Sequence, residues 1–174
     1  MKKKILAIVG SASENSSNLK LVQHISNLIS DEVEIEIFDQ LAQLPHFNSE
    51  QSQDNPPALI TKIRQAILAA DGILISSPEY VFSIPSGLKN LLEWCVATTV
   101  FTQKPACLIT ASASGKMGHK ELKFIMKTLD AKISENTCLL ISGVKGKLDA
   151  DGKPLNEDLT VALLNLIRHF EMEL

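Results

Sequence analysis

Two rhythms of apolar residues alternate along the chain. Residues 4–9, 73–76 and 106–110 are apolar almost without a break, as a strand is when both of its faces are covered. Between such runs, apolar residues recur three and four apart, the stripe of an amphipathic helix packed on a sheet. Leu19, Val22, Ile25 and Ile29 form one stripe, and Leu59, Ile63 and Ile67 mark another over 57–70. Leu122, Ile125, Met126 and Leu129 mark a third over 119–129, and Leu159, Leu163, Leu166 and Ile167 a fourth over 156–170. A further helix is predicted over 85–96, opened by Pro85, whose fixed φ suits a first turn, and a further strand over 138–141. One strand differs in kind. Val33, Ile35 and Ile37 alternate with Glu32, Glu34 and Glu36, which places it at a sheet edge with one wet face. The segment 41–57 is polar, carries Pro45, Pro56 and Pro57 and shows no period. It reads as a long connecting loop reaching over the ligand end of the sheet. Residues 145–154, with Asp151-Gly152, read as a polar turn.

Five strands alternating with five helices argue for a parallel α/β sheet with right-handed crossovers. The continuously apolar strands are then central. The three connections richest in Gly, Ser and Pro, at 10–18, 77–85 and 111–118, all fall at the carboxyl end of that sheet, where open α/β sheets bind ligands. At 174 residues the chain reads as one domain, 1–174, able to bury roughly 70% of its unfolded surface without metal or disulfide.

Composition narrows the class of function. Seventeen basic against twenty acidic residues give a net charge of −3, and no Lys/Arg stripe offers a footprint for nucleic acid. Cys95, Cys107 and Cys138 are odd in number, scattered and in apolar company, so they read as reduced core residues of a reducing compartment. The basic start is followed by an apolar run, 5–9, shorter than the roughly 7 to 15 residues of a signal core. No stretch reaches the ~18 apolar residues of a membrane span. A soluble, cytoplasmic protein without a membrane partner is expected. His24, His46 and His169 lack ligand spacing, and no Cys/His cluster suggests a metal.

The first connection carries anion chemistry. Ser11, Ser13, Ser16, Ser17 and Asn18 lie between a strand and a helix start, where free N–H groups and the helix dipole favour a phosphate. The same residue types also serve as a plain helix cap, and spacing alone leaves both readings open. There is neither a Gly-x-Gly-x-x-Gly fingerprint nor a Gly-Lys-Ser/Thr pattern, which disfavours a dinucleotide site of the Rossmann kind and nucleotide hydrolysis.

The second connection settles on a family. Residues 77–94 read Ser-Pro-Glu-Tyr-x-x-Ser-Ile-Pro-x-x-Leu-Lys-Asn-x-x-Glu-Trp, which resembles the flavin loop of the NAD(P)H-dependent FMN reductases, the flavodoxin-like group that includes quinone, chromate and azo-dye reductases. Gly10-Ser-x-x-x-x-Ser-x-Asn-x-x-Leu resembles that family's phosphate loop, and Ser112, Gly115 and Gly118 its third, glycine-rich loop. Val81, Ser86, Ser13 and His119 stand where the family usually has Asn, Gly, Arg and Gly. The resemblance runs from the first strand through the 119–129 helix.

It implies a flavodoxin-like three-layer sandwich with a five-stranded parallel sheet of order 2-1-3-4-5. It also implies FMN as cofactor, with NADPH or NADH as hydride donor. A small-molecule electron acceptor follows: a quinone, azo compound, metal oxyanion or free flavin. The implied cofactor residues are Ser11, Ser13, Ser16, Ser17 and Asn18 at the phosphate, Pro78, Glu79, Tyr80, Val81, Phe82 and Ser83 along the ring, and Ser112 and Gly115 on its other side. Lys116 and His119 are implied at the nicotinamide. Read as bare residues, Tyr80 and Phe82 are equally loop packing, Lys116 a solvated lysine and His119 an exposed helix-start residue. Glu79 has the chemistry of a general acid or base, yet hydride transfer needs none, so a structural carboxylate is expected. Leu88, Leu91, Leu92 and Trp94 beside the loop aromatics exceed what one sheet face needs, and the family commonly dimerises across this helix, so a homodimer or homotetramer is expected; Trp94 alone reads as core or subunit contact. An electron-carrying flavodoxin would show a Thr-rich phosphate loop and a strongly acidic surface, and a phosphoacceptor receiver an aspartate where Ser76 and Ser77 stand. A flavin-binding interaction protein shares the fold and stays open.

Overall fold

The computed structural model describes residues 2–11, 13 and 16–174. Five parallel strands, β1 (Lys3–Val9), β2 (Val33–Phe38), β3 (Gly72–Ser77), β4 (Ala106–Ser112) and β5 (Cys138–Ser142), form one sheet of order β2-β1-β3-β4-β5. The helices are α1 (Ser17–Ser26), α2 (Ser49–Asp54), α3 (Ala58–Ala69), α4 (Ser86–Cys95), α5 (Lys116–Thr128) and α6 (Glu157–Glu173). The flavodoxin-like order inferred above is the order found.

Strand alternation divides the core into two layers. Leu6 and Ile8 of β1, Ile73 and Ile75 of β3, and Ala106 and Leu108 of β4 pack on α3, α4 and α5. Ile5, Ala7 and Val9, Leu74, and Cys107, Ile109 and Ala111 pack on α1 and α6. Every residue of β3 and β4 is buried, which explains why their apolar runs show no alternation and give way to Ser and Thr only toward the carboxyl ends. The edge strand β2 keeps Glu34 and Glu36 exposed while Val33, Ile35 and Ile37 are half-covered, as its alternation requires. Among the described residues no helix is long and apolar enough to cross a membrane.

This layering fixes where a ligand can sit. The chain leaves β1 toward the α1 layer and leaves the neighbouring strand β3 toward the α4 layer, so the two loops diverge and open a crevice between them. Gly10 forms its floor: a Cβ there would lie 2.5 Å from Ser77 Oγ and 2.7 Å from Ser77 Cβ, so only glycine lets the two strand ends approach.

The structure corrects three sequence-based expectations. The 41–57 segment is not a structureless loop, for it contains a 3₁₀ turn, Leu41–Gln43, and the helix α2, capped by Asn48. It lies against α4, held where Asn90 Nδ2 and Trp94 Nε1 donate to Pro45 O at 2.9 and 2.8 Å and Asn90 Oδ1 accepts from Phe47 N–H at 2.7 Å. Arg64 adds hydrogen bonds to Trp94 O and Ser52 Oγ. Because this cover exists, Leu88, Leu91, Leu92 and Trp94 are core residues, not spare apolar surface. In α1 the fully buried residues are Leu21, Val22 and Ile25, and Ile29 lies beyond the helix end. The 145–154 turn holds as a turn, with Asp149 Oδ1 accepting from Asp151 and Lys153 N–H, both at 2.9 Å.

Candidate functional site

Three loops meet at the carboxyl end of the sheet. The first follows β1. Ser11 and Ser16 are buried, Ser13 is exposed and Ser17 begins α1 half-buried; loop positions 12, 14 and 15 lie outside the described residues. Ser16 is the N-cap of α1, its hydroxyl oxygen accepting from the N–H groups of Asn18 and Leu19 at 3.2 and 3.4 Å. Accepting leaves its own O–H free to donate. Asn18 plays a different part: its carboxamide donates to Ala111 O at 3.0 Å and accepts from Ser76 Oγ at 2.9 Å, so it straps the loop to β3 and β4.

The second loop, 78–85, is a tight two-residue hairpin. Tyr80 and Ser83 exchange backbone hydrogen bonds at 2.9 and 3.0 Å, and Val81 and Phe82 at its tip have φ of +49° and +62°. Two positive φ values define a type I′ turn, which favours Asn-Gly and strains a β-branched residue. The tip nevertheless carries two apolar side chains, 93% and 75% exposed, and among the described residues the N–H groups of Val81 and Phe82 have no partner. Tyr80 turns back over the crevice, its hydroxyl 3.4 Å from Ser11 Oγ. The exit of the loop is fastened by Glu121 of α5, which accepts from Ser83 Oγ at 2.6 Å and Ile84 N–H at 3.0 Å and lies 3.4 Å from Lys89 Nζ. Burial pushes the Glu121 carboxyl up, but these three partners outweigh it and hold the group below the usual glutamate value.

The third loop, 112–118, is locked to the second through Glu79. Its carboxylate accepts from Gly115 N–H at 3.2 Å and from Met117 and Gly118 N–H, each at 2.8 Å, while Glu79 N–H donates to Ser112 Oγ at 3.2 Å. Gly115 turns the chain at φ +84°, and a Cβ there would lie 2.7 Å from Leu140 Cδ1. α5 therefore starts at Lys116, three residues before its predicted start.

Lys116 is exposed at that start. His119 is drawn inward instead: its Nδ1 lies 2.9 Å from Thr110 Oγ1, and burial together with the Lys123 charge lowers its pKa against the opposing pull of Glu135. Glu79, Tyr80, Ser83, Ser112 and Gly115 are thus brought together by direct bonds, Ser11 joins them through Tyr80, and His119 is engaged below, on the α5 flank.

Sequence reasoning missed two contributors. Glu121 falls on the inward stripe of α5 with Gly118 and Leu122, a carboxylate where that stripe should be apolar, which was the available signal. The second is a cavity of about 530 Å³ beside the first loop, walled by Ser11, Ser13, Leu19, Asp39, Gln40 and Gln43. Its far wall, Asp39, Gln40 and Gln43, follows β2, where no pattern announced a site. Among the described residues no group of His, Cys, Asp and Glu could hold a metal ion. Burial pushes the Cys95 thiol up to about 12 and the Cys138 thiol up to about 11, so neither supplies a reactive thiolate.

Residues 3–143 match the NADPH-dependent FMN reductase family. The chain belongs to that family. It is 29% identical over 171 residues to the NADH:(hydroxy)cinnamate reductase subunit of Vibrio ruber, covering 95% of this chain and 84% of the relative. It is 30% identical over 146 residues to the NADPH azoreductase of a Bacillus species, covering 80% of each. The solved structure of the NAD(P)H:(acceptor) oxidoreductase FerB from Paracoccus denitrificans matches it with a TM-score of 0.76 and 23% identity, over 97% of this chain and 94% of that one, a likeness of fold. As a member of this family the chain is an oxidoreductase that uses FMN and NAD(P)H. The donor set fits that cofactor: a helix N-terminus lined by serine hydroxyls and capped by a neutral group for a monophosphate, and two amides without a partner among the described residues, flanked by apolar side chains, for a flavin ring.

Proposed function

We propose that FMN binds across the β1/β3 crevice with its phosphate at the N-terminus of α1 and its ring along the 78–83 hairpin. Ser11, Ser13, Ser16 and Ser17 supply hydroxyl and amide donors to the phosphate, and Asn18 holds that loop in place through β3 and β4. The free N–H groups of Val81 and Phe82 are available to the polar edge of the ring, while Ser112 and Gly115 border its other side. Lys116 borders the donor position, and His119 shapes the α5 flank through Thr110 rather than by direct contact. When bound, FMN supplies two-electron chemistry between NAD(P)H and an acceptor. The protein's share is to fix the ring and exclude competing geometry. The acceptor is a small oxidised molecule: a quinone, an azo compound, a metal oxyanion or free flavin.

One observation carries this reading: a helix start capped by a neutral serine hydroxyl, and a pair of amides without a partner among the described residues, stand on opposite walls of a single crevice at the switch point of the sheet. Purified protein should be yellow, release FMN rather than FAD on heating, and oxidise NADH or NADPH when a quinone is added. A colourless protein that fails to quench added FMN contradicts the reading.

The protein works as a homodimer in the cytoplasm. The dimer is supported by exposed Val96 and Phe124, the latter 72% exposed, beside an apolar hollow of about 260 Å³ that Phe47, Leu92 and Leu129 also line. That surface, not the buried face of α4, is the one a partner subunit covers. Light scattering that gives a monomer mass at micromolar concentration would remove the dimer.

A further inference from the structure

The start of α5 is capped from outside its own segment. Its N-cap residue, Gly115, has no side chain, and its first turn holds no acidic residue. The acceptor for its amides is Glu79, 36 to 39 residues earlier in the chain. An α-helix carries roughly half a positive charge at its N-terminus, and this effect falls off within a turn. Here a full carboxylate already sits on it.

Two further features show that the arrangement is built. Gly118 faces the stem of the glutamate so closely that a Cβ would lie 3.2 Å from Glu79 Cβ and 3.3 Å from both Glu79 Cγ and Ser83 O. The backbone beneath the carboxylate is pinned as well, with Glu79 N–H donating to Ser112 Oγ and Glu79 O accepting from it at 3.4 Å. On the opposite wall, among the described residues, α1 is capped by one neutral hydroxyl. Two helix starts face one crevice, and among the described residues a carboxylate caps the α5 start alone.

We propose that Glu79 is a positioning residue that joins the flavin hairpin to the third loop and neutralises the start of α5, so that the ring pocket does not favour the more negative, reduced form of the flavin. This rests on the FMN reading above. Its physical basis is that a reduced flavin ring bears more negative charge at neutral pH than an oxidised one. A bare helix N-terminus beside the ring would stabilise the reduced form and raise the potential.

The test compares wild type, Glu79→Gln and Glu79→Asp. The two-electron midpoint potential of bound FMN is read by dye equilibration, oxidised-FMN affinity by fluorescence quenching and stability by thermal unfolding. Glu79→Gln keeps the side chain's shape and one acceptor oxygen and removes the charge. It should bind oxidised FMN within about threefold of wild type and reduced FMN about tenfold tighter, a potential higher by about 30 mV for a two-electron couple. Glu79→Asp keeps the charge and should keep the wild-type potential, although its shorter reach lowers the melting temperature. A Glu79→Gln protein with the wild-type potential, or equal shifts in both variants, overturns the role while leaving the FMN assignment standing. A wild type that binds no FMN contradicts the assignment itself.

Discussion

The β1–α1 and β4–α5 connections look alike in sequence and behave differently in the fold. Each leaves an inner strand, each is rich in serine and small residues, and each opens a helix at the same end of the sheet. Among the described residues the first is capped by the Ser16 hydroxyl, which accepts and so keeps a proton to donate, and its first turn has no acidic residue. In the second, three amides are occupied by the Glu79 carboxylate from a neighbouring loop. A helix start at a ligand crest is therefore not an anion site by position alone. What decides is whether the group that caps its amides is neutral, as Ser16 is, or already a carboxylate, as Glu79 is.

The largest effect expected from this difference lies at Ser16. Ser16→Ala should weaken FMN binding by about 10- to 150-fold, the loss of a hydrogen bond to a charged group worth about 1.5 to 3 kcal/mol, while riboflavin affinity barely changes. Equal losses for the two ligands, measured on folded protein, would mean that Ser16 is a cap and nothing more. Next is the geometry of the second connection. Gly115→Ala forces a side chain into φ +84° and against Leu140, and should cost about 1 to 3 kcal/mol in urea unfolding; an unchanged midpoint would show that the loop is not built to hold Glu79.

A gain is expected at the hairpin tip. Val81 sits at φ +49°, where Asn is tolerated far better, so Val81→Asn should stabilise the fold by about 1 kcal/mol. A loss of stability would reveal that the valine packs on something within the chain. The smallest effect is electrostatic. The folded-state pKa of His119 is lowered, so the unfolded chain binds that proton more readily. The associated stability is complete above the model-compound value of 6.5 and declines as pH falls below it. His119→Gln should flatten that decline in urea titrations between about pH 7 and 5. An unaltered pH profile would place His119 in solvent, away from Thr110.

Much of this architecture could be read from the sequence, for definite reasons. β1 from Ile5 onward, and all of β3 and β4, are buried on both faces and so mostly apolar, and the glutamates of β2 mark an edge. The helix α2 escaped notice because only Ser52 of Ser49–Asp54 is buried, so no apolar stripe exists to detect. The face of α4 was misread because its cover comes from Pro45 and Phe47, in a segment with no periodicity of its own. At the site, the loops were legible because Gly, Ser and Pro punctuate them. The bond from Glu79 to α5 was not, because its partners are distant in sequence and are main-chain amides, which every residue but proline possesses.

The central claim is that the crest holds a flavin by its phosphate at the start of α1. Dissociation constants of FMN and riboflavin for the wild-type protein, measured by fluorescence quenching in one buffer, test it most directly. The account predicts that riboflavin binds at least about 100-fold more weakly, since it lacks the charge-assisted hydrogen bonds of the phosphate. Equal affinities for the two ligands would contradict it.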